Sequence, residues 1–430
     1  MSKLKSSFFR KISLFFLSIC FVSVFFSGCK SKESNTVLIW TNKSEVVSYA
    51  ELFNASQDKF KVVIAYKDQL SLSLPPAKDE KTPDIVIGTG IRNERTKKNF
   101  IPIGYLLHSP RLKKSNFYES VLDVGKIGKS QYLLPISFNL PIIILAKENS
   151  DMLSNDYFIS LDELRDVSVK YNHKNQNGIY TSMGFSPRWN PDFIYNVAKM
   201  QDVDFKSFEK YDKQFSWNKT KLDETISYLK NWTTTNNTSS TAEDDYSFKY
   251  LYMPAYKLVS ENRCLFQFSS SGDFFSLPED KVVGLEYRWL SYNDKIPVED
   301  DVAFIGIYKK SANTKNAENF IFWLMNEENQ KKIIERKHQM KSNSLTFGML
   351  GGFSALKNVN EKTLTIYIPM LRKNLPISDY INPINVYPEQ WSSIKESVLY
   401  PYLLDAIATD LQKEPETIDD RMKRWKKQYF

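Results

Sequence analysis

Cysteine, histidine and glycine are scarce in this chain: its 430 residues include three Cys, three His and 14 Gly. So few glycines, together with 18 Pro, exclude collagen-like and proline-rich architectures. Cys20, Cys29 and Cys264 are widely separated, and His108, His173 and His338 stand apart from other ligand types, so no metal-binding cluster is legible. There is no Gly-x-Ser-x-Gly elbow and no His-Glu-x-x-His pair, and Gly88-Thr89-Gly90 lacks the third glycine of a dinucleotide loop. No cofactor is called for. Basic residues exceed acidic ones by eight, yet no Lys/Arg cluster is interleaved with aromatics, which argues against nucleic acid as a partner. There is no internal repeat.

What is present is enough to build a large core: 42% of the residues are hydrophobic, 14% aromatic and 25% charged. That length predicts two domains or one bilobed unit. The chain opens with a basic stretch to Lys11, an apolar run from Ile12 to Phe26, and then Ser27-Gly28, the three-part layout of a secretory signal. The run is short for a membrane-spanning helix. Phe26-Ser27-Gly28-Cys29 resembles a bacterial lipobox, with Phe where Leu is commonest; the resemblance implies cleavage before Cys29 and a lipid on its sulfur. Losing Lys3, Lys5, Arg10 and Lys11 would lower the net charge from +8 to +4. The exported part would then hold no internal disulfide, and Cys264, inside an apolar run, reads as a buried inert thiol.

Along the rest of the chain, Val37–Trp40, 61–66 and Pro83–Gly88 read as apolar strands, with a helix capped by Ser44 burying Val46, Tyr49, Ala50 and Phe53. Apolar strands separated by helices predict a parallel sheet covered on both faces. Further strands are expected at 132–135, 141–146, 263–268, 282–290 and 302–308. Ser160-Leu161-Asp162-Glu163 is a capping box. A helix over 220–232 is expected to end in a polar surface loop, 233–240, and Ala317, Phe320, Ile321 and Leu324 mark another helix after Thr314. Charge order predicts a final helix around Ile418, Met422 and Trp425. The acidic pairs Asp244-Asp245 and Asp300-Asp301 read as solvated turns.

The order of these pieces resembles the family 1 extracellular solute-binding proteins of ABC importers. Its carriers are Val37–Trp40 with its helix, Thr82-Pro83-Asp84-Ile85-Val86, Gly128 to Pro135, Phe215-Ser216-Trp217-Asn218, and Asn316 to Gln330, ending Glu327-Glu328-Asn329-Gln330. The resemblance implies an α/β fold of two lobes joined by a multi-crossing hinge, with the ligand cleft between them. It also implies a lipid-anchored monomer held at the membrane through Cys29, at the periplasmic or outer face. Such a protein captures a small carbohydrate by hinge closure, hands it to ABC permease subunits and breaks no bond. The expected division is signal 1–28, tether 29–36, first lobe 37–137 with 300–350, and second lobe 138–299 with 351–430.

Carried over position by position, the resemblance implies ligand contacts from Trp40, Thr41 and Asn42 at the first strand's end, and from Ser137, Phe138 and Asn139 near the hinge. Arg188 and Trp189 would come from a second-lobe loop, Ser271 from the site where many relatives place a Trp, and Trp391 from a helix start. Aromatic faces tolerate the C–H face of a pyranose, and Asn and Ser pair with its hydroxyls. Trp40 is equally a core candidate. A glycerol phosphate diester, a polyol or a peptide is an alternative ligand; a phosphate would call on Arg188. An exported hydrolase or a surface adhesin is the alternative of another class.

Overall fold

The computed structural model describes residues 35–207, 215–340, 346–411 and 413–429. The signal segment, Cys29 and nearly all of the tether therefore lie outside the described residues. The principal strands are β1 (Thr36–Thr41), β2 (Lys61–Tyr66), β3 (Ile85–Gly88), β4 (Leu134–Phe138), β5 (Pro141–Ala146), β6 (Phe158–Ser160), β7 (Phe266–Ser270), β8 (Leu285–Ser291), β9 (Ala303–Ile307) and β10 (Phe353–Ser354). They form two sheets, a six-stranded one ordered β10-β4-β9-β3-β1-β2 and a four-stranded one ordered β7-β5-β8-β6.

The helices used below are α1 (Val46–Ser56), α2 (Leu161–Ser168), α3 (Pro191–Met200), α4 (Lys219–Asn236), α5 (Thr314–Leu324), α6 (Glu327–Gln339), α7 (Tyr400–Ala406) and α8 (Ile418–Tyr429). Among the described residues no helix is long and apolar enough to cross a membrane. The apolar stripes are where periodicity puts them: Val46, Tyr49, Ala50 and Phe53 are buried on α1, and Ala317, Phe320, Ile321 and Leu324 on α5. Phe53 touches Phe320 edge-on with centroids 5.1 Å apart, tying α1 directly to α5. Ser160 caps α2 by accepting the Glu163 N–H.

Several expectations need correction. β1 is parallel to β2 and β3, but β9 runs antiparallel to both β3 and β4, so the large sheet is mixed. The reason is connectivity: β9 enters from the smaller sheet rather than through a covering helix. Ser44 does not cap α1; Glu45 occupies the N-cap position with helical backbone angles and no side-chain bond. The tract 233–240 is no surface loop. The helix runs on to Asn236, with the Thr234 and Thr235 hydroxyls donating to the carbonyls of Lys230 and Asn231, and Asn237 is buried, donating to Phe185 O.

The chain passes between the sheets more than once. It leaves the large sheet through Asn139-Leu140 between β4 and β5, and returns through residues 292–302 between β8 and β9. Although the expected division placed residues from 351 on in the second lobe, β10 pairs with β4 at the edge of the large sheet. A helical run follows, Trp391–Ile394 with a π-turn and then α7, which packs on α3, before the final helix α8.

Candidate functional site

Two cavities, of about 670 and about 600 Å³, meet at Asp300, Asp301 and Lys395. The first is walled by Asn42, residues 68–72 and 89–92 of the large-sheet side and by residues 384–397. The second lies among Lys43, the α3 face bearing Asp192, Tyr195, Asn196 and Lys199, the end of β7, and the loop containing Leu350 and Gly351. Together they form one cleft whose floor is the crossing segment Glu299-Asp300-Asp301.

Asp300 is the anchor of that floor. Its carboxylate accepts from Tyr195 OH at 2.7 Å, Trp391 Nε1 at 2.9 Å and Lys199 Nζ at 2.9 Å, with Lys395 Nζ at 3.4 Å. Burial alone would raise this carboxyl, but Lys199, Lys395 and the hydrogen bonds outweigh it and hold it below the ordinary carboxylate range. The expected solvated turn is therefore wrong for Asp300, which is sequestered with two ammonium groups. Asp244 is not in a turn either; it lies on a helix and pairs with Arg188 at 2.9 Å.

Asp301 differs from its neighbour. Its side chain opens into the cleft, and Asn139 Nδ2 donates to it at 2.8 Å. Burial raises the Asp301, Glu299 and Asp273 carboxyls; repulsion from Asp301 adds to the rise at Glu299 and Asp273. Glu299 also accepts from Ser270 Oγ. Asn139 reaches across three segments: besides Asp301 it donates to Gly351 O and accepts from Ser271 Oγ at 2.9 Å. The two crossings are thereby bonded to each other beneath the cleft.

Of the ten ligand contacts implied by the sequence, Asn42, Asn139 and Trp391 line the cleft. Asn42 is clamped by Thr89, donating to its carbonyl and hydroxyl and accepting its N–H at 3.2 Å. Gly88 is needed there, because a Cβ on it would lie 2.0 Å from Asn42 Oδ1. Trp391 is 6% exposed and lies flat on Tyr387, their centroids 4.7 Å apart, so one ring face is already covered.

The remaining seven stand elsewhere. Trp40 is 1% exposed in the large-sheet core with Lys67 Nζ over its ring, and Thr41 is buried, receiving the Lys43 N–H. Phe138 packs among Tyr118 and Phe353, with Ser137 buried beside it on β4. Ser271 is fully buried beneath the second cavity, holding Asn139 and the Leu140 N–H. Arg188 is spent on Asp244 and Leu404 O, and Trp189 stacks on Tyr246 and donates to Glu243 O. Neither lines either cavity, because the loop expected to reach the cleft is tied instead to the buried Glu243.

Sequence reasoning missed Tyr195, Lys199 and Lys395 as functional candidates, and set aside Asp300 and Asp301. Their signal was faint: Lys199 and Tyr195 lie four residues apart on one helix face, ordinary for any amphipathic helix.

No protein-family model and no curated protein sequence matches the chain. Among solved structures the likeness covers about nine-tenths of this chain. The sugar-binding protein MalE of Xanthomonas citri superposes with a TM-score of 0.63 at 12% identity, over 91% of this chain and 96% of that one. A maltose-binding periplasmic protein MalE from Listeria monocytogenes, in complex with maltose, gives 0.61 at 12% identity over 92% and 98%. A family 1 extracellular solute-binding protein from Alicyclobacillus acidocaldarius gives 0.60 at 12% over 91% and 97%. The chain thus shares the periplasmic-binding-protein-like α/β fold of these structures.

Proposed function

We propose that this protein is the extracytoplasmic receptor of an ABC importer, lipid-anchored through Cys29, that captures a carbohydrate in the cleft and passes it to membrane permease subunits without breaking any bond. The observation that carries this reading is the cleft itself: a polar trough between the two sheet units, floored by a chain crossing. Structural neighbours are solved with maltose, mannotriose and cycloalternan bound, which supports a sugar as the solute.

The residues suit the task. Carboxylates and amides bond pairs of hydroxyls that would otherwise be buried unsatisfied, and Trp391 with Tyr387 supplies an aromatic edge. A solute touching both Asn42 on one side and α3 on the other gains contacts only when the sides approach, which favours a closed state by hinge motion about the crossings. The lobes are then the large-sheet unit and the small-sheet unit with the C-terminal helices.

Purified protein should show a tryptophan fluorescence change and thermal stabilisation with one sugar of a screened panel, about 2.7 kcal/mol at a hundredfold excess over Kd. Trp391→Ala should weaken that binding. Turnover of the bound sugar would discard the receptor reading.

A further inference from the structure

The cleft is chemically lopsided. In a chain of net charge +8, the second cavity is lined by six carboxylates and three lysines, a net −3. Two of those lysines, Lys199 and Lys395, are spent on Asp300. Asp301 and Asp273 open into the cavity with no ion pair among the described residues; Lys43 and Lys395 are the cations whose charge acts on Asp301.

A second, independent observation concerns hydrogen bonding. Asn196 is 3% exposed and lines the same cavity; its Nδ2 donates to Asp192 O at 2.9 Å, and its Oδ1 has no partner among the described residues. In the other half of the cleft, Glu389 Oε1 is a buried acceptor without a partner as well. A buried acceptor left unpaired is costly, so each of these two oxygens is short of a donor.

We infer that the solute is an amino sugar, its ammonium seated against Asp301, Asp273 and Glu299 and its hydroxyl and ammonium protons supplying the donors that Asn196 and its neighbours lack. This rests on the sugar-receptor reading and narrows it. A primary ammonium offers three donors and no acceptor, matching a wall made of acceptors. Placed among carboxyls that burial and mutual repulsion disfavour as anions, it removes that repulsion, whereas a neutral hydroxyl leaves it in place. A phosphorylated or acidic sugar is disfavoured by the same charge.

The test is titration of the full-length protein in mild detergent with mono- and disaccharides of gluco, galacto and manno configuration. Each is supplied in matched forms bearing a free amine, an N-acetyl group or a hydroxyl. The free-amine form of the best-bound sugar should bind at least tenfold tighter than either matched form, with affinity falling as salt rises. Asp301→Asn, which can still accept from Asn139, and Asp273→Asn should each narrow that ratio toward one. Equal or tighter binding of the neutral forms overturns the amine inference and leaves the sugar receptor standing. Absence of binding by every sugar overturns both, and a simple diamine binding as tightly as the amino sugar removes the sugar from the site.

Discussion

Replacing Asp300 by Asn probes the floor of the cleft. Asp300 is the common acceptor for Lys199, Lys395, Tyr195 and Trp391, and its side chain is 9% exposed, with 10% for Lys199. Asn keeps one acceptor oxygen where Tyr195, Trp391 and Lys395 converge, but its amide NH2 then faces Lys199, and the two ammonium groups lose their counter-charge. Breaking a buried pair by removing one partner costs about 3–5 kcal/mol. At roughly 2–4 °C per kcal/mol for folding units of this size, the unfolding midpoint should fall by about 6–20 °C. The Trp391 indole then donates to a neutral amide oxygen instead of a carboxylate, so its fluorescence should shift in the folded variant. Denaturant melts followed by circular dichroism and by tryptophan emission measure both effects. Adding Lys199→Met should restore part of the loss, because a buried methylene chain without charge no longer needs a carboxylate. A cost below about 1 kcal/mol for Asp300→Asn, or no recovery in the double variant, would refute the view that charge pairing organises this floor.

Glu243 is the clearest pH-dependent group away from the cleft: burial raises its carboxyl to about 7, against the lowering effects of Asn237, Ser186, Arg188 and Thr233. Its folded value lies above its unfolded one, so the folded chain binds the extra proton between about 4.5 and about 7, and stability falls as pH rises through that window. The window is worth about 3 kcal/mol, and Glu243→Gln should flatten the stability–pH curve by that amount in melts from pH about 4 to 8. Gly88→Ala should push Asn42 off Thr89, given the 2.0 Å approach, and weaken solute binding in calorimetry by a factor of about ten, equivalent to about 1.4 kcal/mol. Cys264 is 1% exposed and its thiol is pushed up to about 12, so peptide mapping should find it unlabelled by a thiol reagent in native protein at pH about 8 and labelled after denaturation.

The fold was legible wherever one segment carried its own instructions. The stripe Val46, Tyr49, Ala50, Phe53 and the run Pro141–Ala146 need no knowledge of partners to be read, and both took the predicted form. What failed depended on distant chain. The direction of β9 is set by its arrival from the other sheet, and no local pattern encodes that. Thr234 and Thr235 stay helical, their hydroxyls back-bonded to carbonyls four residues earlier, against the loop preference of such residues.

The candidate site was harder, and the positions that do not line the cleft share a cause. Trp40, Phe138 and Trp189 were chosen because aromatic faces suit sugars, yet aromatics are also what a large core wants, and these three went there or into stacked pairs. Asp300 and Asp301 were set aside because adjacent carboxylates are usually solvated. Their meaning comes from α3 and the C-terminal helices, which bring Lys199 and Lys395 from 101 and 95 residues away. Burial reverses the value of the two residue types: it makes an aromatic ordinary and a carboxylate exceptional. In a chain rich in Phe and Tyr, then, the better pointer to a cleft is the acidic run lying at a crossing between sheets, since a crossing is where neither sheet covers the chain and a charged group can face a cavity.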